Sequence, residues 1–193
     1  MRSVDGAKHF FTSTIPLLAI VAFSALVLSA QQTQHVQDWP WKLYVSTNEA
    51  LKVTGFGRFT QKGKGQFQSE RSTFLGERAV TSLLFSDKGL DMVKVDLYRG
   101  NDKEKAIDSW CKLFAWQKAR YGELITFDSG ISPKADDAEV RKKTEGWLAG
   151  KPTDAVVKLY TNCIEKGAAR RFVTFLARTP QGEYFVYTAY GAL

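Results

Sequence analysis

The chain has 193 residues, 44% hydrophobic and 13% aromatic: long enough for one domain with a sizeable core, and too apolar for a disordered chain. Of its formal charge of +7, Arg2, Lys8 and Asp5 supply +1, so +6 belongs to residues 31–193. The cations are interleaved with acids rather than run in blocks, which argues against a specific nucleic-acid site and for a solvated basic surface attracted to anionic glycans or lipid headgroups.

Phe10 through Leu28 is a run of 19 residues without a charge, preceded by Arg2 and Lys8 and followed by no charge before Asp38. A basic flank before such a run sends the following chain across a membrane. Two readings stay open. Ser29 and Ala30 offer small residues for signal cleavage, whereas the run approaches the ~20 residues that span a bilayer as an uncleaved anchor. Residues 1–30 are therefore expected to be a signal peptide or membrane anchor, 31–38 a polar linker, and 39–193 a single domain. That domain is expected outside the cytoplasm, in the periplasm or held at the inner membrane of a bacterial envelope.

Within the domain, "WKLYVS" (41–46) and "LKVTGFGRF" (51–59) read as short strands, and "TQKGKGQFQSER" (60–71), which lacks periodicity, as a loop. In that loop Lys62 and Lys64, set among glycines, are candidates to wrap an anion. "RAVTSLLFSDKGLDMVKVDLYRG" (78–100) predicts a hairpin turning at Asp87-Lys88-Gly89, with Val93, Val95 and Leu97 alternating against Lys94 and Asp96.

Asn101 or Asp102 is placed to cap the helix that follows, which Gly122 ends. Ile107, Trp110, Cys111, Phe114 and Tyr121 share its apolar face, with Cys111 at the edge. Trp116 falls outside this stripe, between Lys112 and Arg120. It reads either as an exposed anchor for a partner or as a ring covered by the C-terminal segment or by those two cations. "FDSGISPKADD" (127–137) is expected to be a loop, and "EVRKKTEGWLAG" (139–150) suits a short helix but is read, on Gly146 and Gly150-Lys151-Pro152, as a hairpin leading into "DAVVKLYTNC". "RRFVTFLARTPQGEYFVYTAYG" (170–191) predicts a hairpin around Thr179-Pro180-Gln181-Gly182. Its strands carry apolar residues on both faces, so Tyr184, Tyr187 and Tyr190 are further partner-binding candidates, with a homodimer through this hairpin as one form of that contact. Strands, one principal helix, then strands imply an α+β fold: a mainly antiparallel sheet with that helix packed on one face.

His9 and His35, the two histidines, precede the domain, which removes Ser-His-Asp and Cys-His catalysis from residues 39–193. No Walker or dinucleotide motif occurs, and no metal or cofactor is expected. Cys111 and Cys163 are expected to form a disulfide, permitted in an exported domain; closing about 50 residues, it would contribute roughly 4 kcal/mol. An inert thiol and a redox or catalytic thiol are the other readings of Cys111. Asp87, Asp91 and Asp96, and the Asp136, Asp137 and Glu139 cluster, read as solvated acids near turns and caps, or as carboxylates for acid–base chemistry. The functional expectation is a non-catalytic binding or assembly protein of the envelope, contacting an envelope protein or an anionic glycan or lipid surface. The alternatives are a small glycan-modifying hydrolase using paired carboxylates, or an accessory subunit of a membrane complex.

Overall fold

The computed structural model describes residues 39–122, 124–127, 130–132, 134–150, 160–164 and 170–192. The apolar run 10–28 and the linker 31–38 lie outside them; no described helix is long and apolar enough to cross a membrane.

Eight strands are described: β1 (Thr60–Gly63), β2 (Gln66–Phe74), β3 (Glu77–Ser86), β4 (Gly89–Gly100), β5 (Ile125–Phe127), β6 (Tyr160–Ile164), β7 (Arg170–Arg178) and β8 (Tyr184–Ala192). They form one sheet in the order β1-β2-β3-β4-β8-β7-β6-β5, antiparallel throughout. The first four strands meander inward from one edge. The last four begin at the opposite edge and walk back, so the two halves meet where β4 pairs with β8. Three helices accompany them: α1 (Thr47–Ala50), α2 (Lys103–Tyr121) and α3 (Asp137–Leu148).

Local chemistry explains the expected elements. Ser86 pairs with Gly89 across Asp87-Lys88, and Gly89 adopts φ +107°, a conformation that costs glycine little. Asp102 caps α2 by accepting hydrogen bonds from the Glu104 and Lys105 backbone N–H groups at 3.1 and 3.2 Å, and Gly122 stops the helix at φ +79°. The C-terminal turn closes as predicted, the Gly182 N–H donating to the Thr179 carbonyl at 2.9 Å.

Three expectations are corrected. Segments 41–46 and 51–59 are not strands: α1 interrupts them, and Gly55 and Gly57 at φ +87° and +70° break the extended path. Trp39, Trp41, Leu43, Ala50 and Phe56 instead plug the core. Stretch 60–71 is not a loop; it contains β1 and most of β2. Its first strand is an edge whose four residues are all exposed, so no burial pressure writes an apolar alternation into it. Segment 139–150 is not a hairpin, because α3 occupies it. Asp136 caps that helix, accepting from the Glu139 N–H at 2.8 Å, and Val140, Thr144 and Leu148 bury one stripe at i, i+4 and i+8. Gly146 meets nothing within 4 Å on the outer side, and so is tolerated. Of "DAVVKLYTNC", Tyr160 through Cys163 lie in β6 and the preceding residues 154–159 lie outside the described ones.

The core lies between the inner face of the sheet and α2, which packs against β4, β6, β7 and β8. Trp110, Leu113, Phe114 and Ile107 from the helix meet Val93, Val95, Phe172, Leu176 and Val186 from the sheet, all essentially inaccessible. Each such side chain contributes about 1.5–3 kcal/mol on burial.

Candidate functional site

On α2 the buried positions Ala106, Ile107, Ser109, Trp110, Leu113, Phe114, Trp116 and Gln117 cover about half the circumference, wider than the stripe the sequence suggested. Trp116 therefore faces inward and is only 5% exposed. Its ring lies 5.2 Å from Phe74, 5.6 Å from Phe172 and 6.0 Å from Trp39. It is a core residue, which removes it as an exposed partner anchor. Arg120 is half-buried beside Tyr121: its Nε donates to the Tyr121 Oη at 3.0 Å. The missed signal was Leu113-Phe114 followed by Trp116-Gln117, a pattern that needs two sheet strands under one helix.

Gln117 leads to a polar seam inside the core. Its Nε2 donates to Thr174 Oγ1 at 2.5 Å and to Thr188 Oγ1 at 3.3 Å, and the two threonine oxygens lie 3.0 Å apart. All three residues are fully buried, and the Gln117 Oε1 has no hydrogen-bond partner.

Cys111 sits half-buried on the side of α2 turned toward α3. Burial is the main cause that pushes its thiol up to about 11, with Asp108, Asp137 and Glu145 adding to it and Arg141 opposing. The thiol stays protonated at neutral pH, which does not suit a nucleophile. It is a free thiol here, so the expected bridge to Cys163 is not present in this structure. Cys163 occupies the β6 position opposite Phe172 of β7, and its side chain lies outside the described set.

Beside Cys111, Arg141 of α3 gathers three carboxylates: Asp108 at 2.6 Å, Glu104 at 2.9 Å and Glu145 at 3.0 Å. Two of these acids belong to α2, so the guanidinium clamps one helix to the other. Several other described acids are likewise occupied. Asp96 pairs with Lys94 at 2.7 Å, Glu183 with Arg99 at 3.0 Å, and Glu77 with Lys112, while Asp136 is a cap. Among the described residues no group of three or more His, Cys, Asp or Glu is placed to hold a metal ion.

The C-terminal hairpin separates its tyrosines. Tyr190 is 2% exposed and packs on Phe172 at 4.6 Å; Tyr184 is also buried, under the Arg178 guanidinium. Both are structural. Tyr187 lies on the outer face, stacked on Phe175 with centroids 4.6 Å apart and planes at 22°, and Lys94 Nζ sits 4.4 Å from its ring centre. Further along that face Arg99 lies 4.9 Å over the Phe185 ring. Because β7 and β8 are interior strands, both backbone edges of the hairpin are taken, and a homodimer through it would have to meet face to face.

Lys62 pairs with Glu70 at 3.2 Å across β1 and β2, which leaves only Lys64 of the two expected anion-binding cations without an acid partner. Around it the chain makes a hairpin turn rather than a wrapping loop, and the Gly65 carbonyl accepts from the Phe85 N–H at 2.7 Å. The chain matches no protein-family model, no curated protein and no solved structure.

Proposed function

We propose that the protein is an exported or membrane-anchored binding or assembly factor of a bacterial envelope, working by contact rather than by catalysis. The observation that carries this reading is the outer face of β4, β8 and β7. There Phe175 and Tyr187 stack beneath Lys94, and Arg99 covers Phe185. These rings are half-buried on rigid central strands, and cations held over aromatic planes recur where proteins recognise partners. The basic flank and 19-residue apolar run at the N-terminus support an extracytoplasmic setting.

The rival hydrolase reading needs two carboxylates across a cleft, and the acids that do converge, Glu104, Asp108 and Glu145, converge on Arg141. The test is a photo-reactive amino acid at position 187, with position 142 on the exposed side of α3 as control, in cells of the source organism. A cross-linked envelope species specific to position 187, lost on Phe175→Ala with Lys94→Ala, is expected. Identical patterns from both positions would remove this face as the contact surface.

A further inference from the structure

Tyr44 (49% exposed), Leu84 (37%) and Met92 (39%) are the exposed large apolar side chains among the described residues, and all three lie at one end of the sheet. Leu84 and Met92 are direct cross-strand partners near the β3–β4 turn. Tyr44 is tied to the same end: its N–H donates to the Leu90 carbonyl at 2.8 Å, and the Leu90 N–H donates to the Val45 carbonyl at 2.9 Å. The β1–β2 turn joins them, because the Phe85 N–H donates to the Gly65 carbonyl.

Charge follows the same placement. Lys42, Lys64 and Lys88 are exposed at this end, and Arg170 and Arg171 begin β7 there, in register with Ala192 and Gly191. Against these stand Asp87 and Asp91; Lys62 is paired with Glu70, and the exposed Glu49 and Lys52 balance in number. Apolar side chains ringed by ammoniums match the boundary of an anionic bilayer, where Tyr and Lys place an apolar body inward and a polar tip in the headgroups.

The described chain begins, at Trp39, near the same end. Ten residues, 29–38, separate the apolar run from Trp39, a reach of at most ~35 Å. Trp39 packs on Phe172 and Tyr190, each two positions from this end of its strand. We infer that this end of the sheet, presenting Tyr44, Leu84 and Met92 within a collar of Lys42, Lys64 and Lys88, docks on the anionic lipid surface of the membrane that residues 10–28 enter. The inference rests on the anchored form of the proposed function.

The test is hydrogen exchange on the full-length protein in nanodiscs containing phosphatidylglycerol, in nanodiscs of phosphatidylcholine alone, and in detergent. Carbonate extraction of the native membrane is run separately. Carbonate resistance reports on the anchor alone, so failure of the anchor and failure of docking are distinguishable. Docking predicts slower exchange at residues 42–45 and 84–92 in phosphatidylglycerol discs, with protection falling about five-fold for each lysine neutralised in Lys64→Gln and Lys88→Gln. The doubly substituted Leu84→Ser, Met92→Ser protein should lose the protection with an unchanged far-UV spectrum, since both side chains are already exposed. Equal exchange at this end in all three media overturns the proposal. So does equal protection in both lipids, and so does protection that grows with protein concentration without lipid, which would make the surface a contact between copies.

Discussion

Trp39 meets Phe172 edge-on, ring centroids 4.9 Å apart and planes at 82°, joining the first described residue to the centre of the second meander. The same indole touches Trp41, Phe74, Trp116 and Tyr190. The segment after the polar linker is thus a core element that both halves of the sheet close around.

Trp39→Ala and Trp116→Ala should each cost about 3–5 kcal/mol in urea unfolding. Their rings lie 6.0 Å apart, so the double substitution should cost less than the sum. A loss under about 1 kcal/mol for Trp116→Ala would contradict its burial.

Glycine substitutions separate backbone strain from collision. Gly76→Ala, at φ +76° with nothing within 4 Å of an added Cβ, should cost about 1–2 kcal/mol. Gly89→Ala puts its Cβ 2.6 Å from the Val45 carbonyl oxygen and 2.7 Å from that of Tyr44, and should cost more. Equal midpoints in chemical denaturation would mean that the 44–45 segment yields freely.

Gln117→Met should change stability by less than about 1 kcal/mol, because it removes a buried oxygen without a partner while Thr174 and Thr188 keep each other. Gln117→Glu brings a carboxylate into the same dry site. It should cost about 3 kcal/mol or more at neutral pH, and less on acidification as the acid takes up a proton.

Cys111 should react slowly with iodoacetamide at neutral pH in the folded protein and quickly once unfolded. Its folded pKa is raised from 9.0 to about 11, so its contribution to stability is complete below pH 9 and is lost as pH rises through 11. Cys111→Ala should flatten that alkaline limb of a stability–pH curve.

Asp102 behaves in the opposite sense. Hydrogen bonds from the Lys105 and Glu104 backbone hold its carboxyl below the ordinary 3.8, so its contribution is present above that pH and is lost as pH falls through the lower folded value. Asp102→Asn should retain the cap and remove this acid-side dependence, followed by exchange at the first amides of α2.

The residues legible in sequence were those whose job is local. Asp87-Lys88-Gly89 makes its turn, Asp102 and Gly122 bound α2, and Pro180 with Gly182 shapes the last hairpin, because each acts on neighbours a few bonds away. The alternation Val93, Val95, Leu97 reported a strand with one buried face for the same reason. β1 carried no such signal, since an exposed edge strand is held by backbone pairing to β2, which any polar side chains permit. Segment 139–150 misled because Gly146 and Gly150 looked like breaks, while the helix is decided by Val140, Thr144 and Leu148 finding α2.

Sequence alone determined the α+β class, the turns and caps, the absence of histidine from residues 39–193, and the chemistry excluded with it. Tertiary structure decided which aromatic rings are core and which face outward. Trp116 and Tyr187 are both large aromatics in the sequence; one is enclosed because α2 lies across the seam of two meanders, and the other stands on the outer face of the sheet. It also decided that Arg141 forms one clamp with Glu104 and Asp108, each more than thirty positions away, and that Tyr44, Leu84 and Met92 share one end. Burial and charge pairing depend on what arrives from distant parts of the chain, and periodicity records only a residue's neighbours on its own element.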